Sequence, residues 1–582
     1  MLIMASLLYA QHHEYRKMTP KEIASGFDRR TSLERMANEH FDVLVIGGGI
    51  TGAGVALEAA TRGLKVALVE AADFASGTSS KSSKLVHGGL RYLQQGDVSL
   101  VRESLTERQH LLKNAPHLVH PLAFIVPVYA NGKLPVIATE LVISAALWSY
   151  DLIGGVREKE LHRRLTSAEI AGHFPALRAD HLKGGYLYHD AQADDARLTL
   201  EILRTAAQRF EVSIANYAPV RSLLKTTSET TKGVTVEVLD PHRPEMPSTG
   251  TTIEINANCV VNATGVWVDT VQTMDSELEA PSIRPAKGVH ICVPRQSIPC
   301  DAACVLQVPG DRRSIFVIPW GMHVYIGTTD TSYTGPLDDP SCDPSDIDYL
   351  LKAVNHYMES NLSTDQITGC WSGIRPLVAG SYKGALSDKR TSDLSRRHRI
   401  TVSRSGLITV TGGKLTTYRK MAEDTVAAVV NYLGTGGTKS ITSKLPLLGA
   451  KVNGDIFIST DTAISPQLRT HLVDRYGSEA AKVWGLARSS LELMVPLING
   501  LPEIAAEAVY AVRHEMAQTI EDVLIRRTRI ALLDTRKAVE AAEGIALLLS
   551  KEWGITEGQA RSEAARFKDL QVRSWTASGL AW

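Results

Sequence analysis

Along residues 41–70 the hydrophobic pattern changes period twice. Residues 43–46 are an unbroken apolar run, glycines follow at 47, 48, 49 and 52, and small and apolar residues then continue to about Thr61. Arg62-Gly63 turns the chain, and a second apolar run at 66–69 ends in Glu70. Strand, glycine turn, helix and strand in succession predict a βαβ unit. Residues 98–116 predict a helix with Val101, Leu105 and Leu112 on one side. Residues 194–210 predict another, because Leu198, Ile202, Ala206 and Phe210 recur every four positions and Asp194 or Asp195 can cap it. Alternating runs at 234–240, 251–255 and through 283–330 predict strands, with a helix near 345–360 and further strands up to 406–413. GTGGTKS at 434–440 is the best linker, and beyond about 465 the pattern is helical. There is no internal repeat. The expected class is α/β: a Rossmann-like domain, an inserted antiparallel-sheet domain and a C-terminal α-helical domain. The boundaries fall at 1–40 (an extension), 41–440 (the interleaved body) and 441–582 (the helical part).

Composition narrows this picture a little. The chain has 582 residues, 44% apolar and 22% charged, with 63 basic and 63 acidic side chains, so no global field steers it toward nucleic acid. Its six cysteines form no CxxC pair and read as reduced thiols, with no metal site. The apolar stretch at 2–10 is shorter than the ~20 residues a spanning helix needs. It also lacks a basic flank and a cleavage site, so no signal peptide is expected. Arg29-Arg30 is followed by polar residues and is not an export signal; Met18 and Met36 are plausible later starts. The most apolar internal stretch, 134–155, is interrupted by Glu140 and Asp151. A buried helix is the plainer expectation for it, and a helix dipping into one leaflet the alternative. His514-Glu515 begins a zincin-like HExx, but Gln518 stands where the second His is needed.

The glycine turn carries chemistry. Gly47 permits the tight turn, the bare Gly49 lets a pyrophosphate approach the backbone, and Gly52 lets helix and strand pack closely. The helix N-terminus offers free N–H groups to phosphates, and Glu70 can bind a ribose diol. An acid at that position favours FAD or NAD over NADP. The apolar strand 259–262 ends in Ala263-Thr264-Gly265, a turn of the kind that covers the cofactor in flavoproteins. No second GxGxxG is present, which disfavours a plan binding both NAD(P)H and FAD.

TSSKSSKLVHGGLRYL at 78–93, RPAKGVHICVP at 284–294, FVIPWGMHVYIGTTD at 316–330, WSGIRPL at 371–377 and GGKLTTYRKMAEDT at 412–425 resemble the FAD-dependent glycerol-3-phosphate dehydrogenases, in order along about 41–430. The resemblance implies a glutathione-reductase-type FAD domain and oxidation of sn-glycerol 3-phosphate to dihydroxyacetone phosphate. It implies FAD contacts from Thr78, Ser79, Ser80, Ser83, Lys84, His87, Gly88, Gly413, Leu415 and Thr416. It gives the substrate phosphate to Arg91, Tyr92 and Lys414, and places Arg375 and Arg396 nearer the reacting hydroxyl. His290 is the candidate base, and His87 a weaker one. Arg397 stands where an Asp is expected in this family. Thr416 or Thr417 is expected to cap the helix after GGK, so that its N-terminus and Lys414 offset negative charge on the reduced flavin. Electrons pass to a quinone or, alternatively, to O2. A flavin-binding scaffold without activity and an amino-acid-oxidising enzyme are the other readings. A quinone-linked member is expected to be cytoplasmic, homodimeric and peripherally bound to the inner face of the membrane, with no nucleic-acid partner.

Overall fold

The computed structural model describes residues 26–582 except 95, 131–135, 156–160, 243–250, 277–279, 312, 360, 380–396, 437 and 451–462. Two sheets carry the body, and the chain crosses between them repeatedly. The first places His40–Ile46 between Val66–Val69 and Thr252–Asn262, parallel to both, with Ile408–Thr411 parallel beyond. The apolar run at 43–46 is continuous because both of its faces are covered. Val43 and Val45 pack under the helices Ile50–Thr61, Asp195–Phe210 and Tyr418–Leu433. Leu44 and Ile46 face the other way, toward Val234, Val236 and Met36. Met36 belongs to the helix Arg29–Asn38, so the end of the expected extension is built into the fold.

The second sheet is mostly antiparallel and holds the long pairs Val119–Tyr129 with Leu182–Ala193 and Ile283–Pro294 with Gly369–Val378. This confirms the inserted antiparallel sheet. The helices read from periodicity appear at Val98–Asn114, Asp195–Phe210 and Pro344–Asn355. Asp194 caps the second by accepting from Arg197 N at 3.2 Å. The C-terminal region is helical from Pro466–Tyr476 to Glu557–Ala577, interrupted by a π-helical turn at Asp522–Arg527.

The apolar stretch forms the helix Val136–Gly154, and it is not buried as a whole. Leu147 and Tyr150 face the core, whereas Ile137, Leu141, Val142, Trp148 and Leu152 are exposed. Among the described residues no helix is long and apolar enough to cross a membrane.

Candidate functional site

The glycine turn has the geometry its spacing requires. Gly47 has φ 111°, and a Cβ on Gly52 would overlap the Gly47 carbonyl. Gly49 is the N-cap of Ile50–Thr61 and has no side chain to close that helix end. A Cβ there would press on Ser79 Oγ at 3.2 Å and meet no other protein atom within 4 Å. Ser79 Oγ accepts from Ile50 N at 2.9 Å, which ties the 78–84 loop to the turn. Glu70 accepts from Gly48 N at 2.6 Å and Ala72 N at 3.0 Å, holding its carboxylate at the strand end. Ala263-Thr264-Gly265 follows the parallel strand beside the turn, with Ala263 N donating to Ile46 O at 2.9 Å.

Around this turn the quoted motifs converge. His87 N donates to Thr416 Oγ1 at 3.2 Å, joining HGG to GGKLTT across 329 residues. Gly88 N donates to Tyr150 Oη at 2.9 Å, and Tyr150 donates to the Asp190 carboxylate, which Arg108 also binds. Thr78 Oγ1 donates to Ile374 O at 2.6 Å. Lys414 Nζ lies 3.9 Å from the centroid of the Tyr92 ring, a cation–π contact between two residues expected at the phosphate. Gly413 has φ 83° and presses against Met421, and Leu415 opens a 3-10 turn before the helix Tyr418–Leu433. Neither threonine caps that helix. Thr417 makes no side-chain cap bond, and Thr416 is turned to His87. The intervening 3-10 turn moves Thr416 out of capping position.

Three glycines clear one face of the second sheet. Gly288 stands opposite Gly373, and His290 opposite both Gly327 and Trp371. A Cβ on Gly288 would overlap the Arg375 guanidinium, one on Gly327 the His290 ring, and one on Gly373 the Lys81 carbonyl. Arg375 donates to Thr328 Oγ1 at 2.9 Å and to Thr329 O at 3.1 Å, and lies 3.4 Å from Asp330. His290 stacks on Trp371, with centroids 4.9 Å apart, and its Nε2 is 2.9 Å from Ser83 Oγ. Burial, then the Lys84 and Arg375 charges, push its pKa well below the ordinary histidine range. The ring is therefore neutral at physiological pH.

Lys84 differs from the expectation. Its ammonium is buried, donating to Ser80 O at 3.0 Å and Asp195 Oδ1 at 3.0 Å, so it faces inward as a brace of its own loop. Burial and neighbouring Arg529 push it down to about 8. Arg396 and the Arg91 side chain lie outside the described part of the structure; the Arg91 backbone belongs to the helix Leu90–Gln94. Sequence reasoning missed Thr328, Asp330 and Trp371, which hold Arg375 and His290. It also missed Asp195, which anchors Lys84.

Residues 42–419 match the FAD dependent oxidoreductase family, and 440–560 match the C-terminal domain of alpha-glycerophosphate oxidase. Glycerol-3-phosphate dehydrogenase 2 of Mycobacterium bovis is 40% identical over 546 residues, covering 93% of this chain and 89% of that protein. The chain belongs to the FAD-dependent glycerol-3-phosphate dehydrogenase family. The human mitochondrial glycerol-3-phosphate dehydrogenase is 39% identical over 92% of this chain and 74% of its own length. The structure of the glycerol-3-phosphate dehydrogenase from Bacillus halodurans, complexed with FAD, is similar at TM-score 0.75 with 30% identity, covering 95% and 98% of the two chains.

FAD is the cofactor of this dehydrogenase, and the residues present fit it. The bare Gly49 at the helix N-terminus, with no capping side chain of its own, and the Glu70 carboxylate held by backbone N–H groups match pyrophosphate and ribose in turn.

Proposed function

We propose that this dehydrogenase oxidises sn-glycerol 3-phosphate to dihydroxyacetone phosphate and passes the electrons to a membrane quinone while resting on the bilayer surface. The observation that carries the substrate reading is the meeting of Lys414 with Tyr92, 322 positions apart, beside the HGG and GGK turns. Lys414, Tyr92 and Arg91 take the phosphate dianion, for which a fixed cation and a donor hydroxyl are suited. Arg375, oriented by Thr328, Thr329 and the Lys287 carbonyl, is the cation assigned to the reacting hydroxyl. Bound FAD supplies the hydride acceptor. His290, kept neutral, takes the hydroxyl proton, and its depressed pKa favours handing that proton on, with the Ser83 hydroxyl next to it.

The acceptor reading has support in the exposed apolar face of Val136–Gly154. A helix with one face in the core and Leu141, Trp148 and Leu152 in the open suits shallow insertion at a lipid interface. Anaerobic addition of glycerol 3-phosphate to the yellow protein tests the substrate: bleaching is expected, and an unchanged spectrum overturns it. Peroxide yield against reduction of a soluble quinone then separates the acceptors. Stoichiometric peroxide with no quinone preference would make the enzyme an oxidase.

A further inference from the structure

The C-terminal helices contribute a buried basic run, Arg526-Arg527-Thr528-Arg529, to the body of the protein. The first two close the π-helical turn, and Arg529 follows at φ 70°. Arg526 Nε donates to Asp73 Oδ2 at 2.6 Å, and Arg527 grips both Asp73 oxygens at 2.8 and 2.9 Å. Arg529 Nη2 donates to Asp195 Oδ1 and to Ser80 O, each at 2.7 Å.

The two carboxylates hold loops rather than core. Asp73 belongs to the loop after Glu70, whose Ala75 N donates to Gly48 O at 3.1 Å. Asp195 receives Ser82 N at 3.1 Å, Ser82 Oγ at 2.7 Å and Lys84 Nζ at 3.0 Å, so it fixes the 78–84 loop. That loop reaches the glycine turn through Ser79 and His290 through Ser83. Both loops flanking the turn thus hang from one arginine run more than 330 positions away. Buried ion pairs of this kind add little net stability over apolar packing. What they secure here is geometry.

We infer that Arg527 and Arg529 are positioning residues: the helical region clamps the two loops that border the FAD site and thereby sets how tightly the cofactor is held. This rests on the assignment of the 78–84 loop to FAD.

The test measures FAD binding to flavin-free protein by fluorescence quenching, with thermal unfolding of the same samples. Arg529→Met is expected to weaken FAD at least tenfold, and Arg529→Lys to recover most of it, since an ammonium still satisfies Asp195. Ser82→Ala leaves every buried charge paired and is expected to weaken FAD about threefold with an unchanged melt. It decides the matter if Arg529→Met fails to fold. Wild-type FAD affinity in Arg529→Met and Ser82→Ala overturns the clamp. So does a lower melting temperature with unaltered affinity. Ser79→Ala separates the two readings. Weaker FAD in that variant alone sinks the clamp but keeps the loop assignment, and normal FAD there removes both.

Discussion

The guanidinium of Arg375 lies over the bare Cα of Gly288, two positions along the facing strand from its register partner Ala286 and on the same face. A methyl group on Gly288 would overlap the guanidinium and come within 2.6 Å of Thr328 Oγ1, which orients it. Gly288→Ala is therefore expected to act like loss of Arg375. Both Gly288→Ala and Arg375→Ala should lower kcat/KM about 100-fold or more while FAD content stays normal, the cost of one charge-assisted contact in a dry site. Steady-state kinetics beside the flavin absorbance of the purified variants checks this; unaltered turnover in either variant would remove Arg375 from the site.

Gly49 and Gly52 should fail differently. The Cβ of Gly49→Val meets only Ser79 Oγ, a side-chain atom that can shift, so its apoprotein should melt close to the parent yet take up no FAD. Gly52→Ala meets the Gly47 carbonyl and should lower the melting temperature of the apoprotein as well. Calorimetry on the two flavin-free proteins distinguishes them.

Lys414→Met removes the cation over Tyr92 but keeps most of the side chain. It should raise KM for glycerol 3-phosphate roughly tenfold or more, with FAD retained, because a charge-assisted phosphate contact contributes ~1.5–3 kcal/mol. An unchanged KM would take Lys414 out of phosphate binding.

The double variant Leu141→Glu, Trp148→Ser should lose co-sedimentation with lipid vesicles and keep its activity with a soluble electron acceptor. Equal vesicle binding by parent and variant would mean that another surface meets the lipid.

Acid should weaken the fold through histidines that are buried neutral. Burial, then Arg197, His120 and Arg204, push His117 down to about 3, with Glu479 opposing. An unfolded histidine titrates near ~6.5. Below that pH the unfolded chain takes a proton that the native state refuses, so stability is lost as pH falls from about 6.5 toward 3. His290 acts in the same direction. His471 opposes it: burial pushes its pKa down, but Glu507 and Glu503 together raise it above the ordinary value. Urea midpoints should fall between pH 7.5 and 5.5, and His117→Gln should flatten that fall.

How much of this could be read from the chain depends on how local each feature is. The dinucleotide unit was legible because strand, turn, helix and acid lie within one continuous stretch, and each glycine there answers a contact made nearby. The helix Asp195–Phe210 and its Asp194 cap were legible for the same reason. The role of Val136–Gly154 was not, because a helix apolar all round has no contrast to say which side meets the core; only the packing of Leu147 and Tyr150 decides it. Thr416 was misread because its partner, His87, is distant in sequence. The inward turn of the Lys84 ammonium was not legible because its counter-ion, Asp195, is 111 positions away. The glycines at 288, 327 and 373 were visible, but their purpose emerges only when their strands are side by side.

The shuttling of the chain between its two sheets has a consequence for how the molecule can be taken apart. The strands of the first come from residues 40–46, 66–69, 213–237, 252–262 and 399–411, with the second threaded through the gaps. Among the described strands, no single cut yields a fragment that holds one layer whole and is free of strands of the other. Expressing the nucleotide half alone would mean splicing distant stretches together, and a protease nick in the connecting stretches leaves both halves still woven to each other.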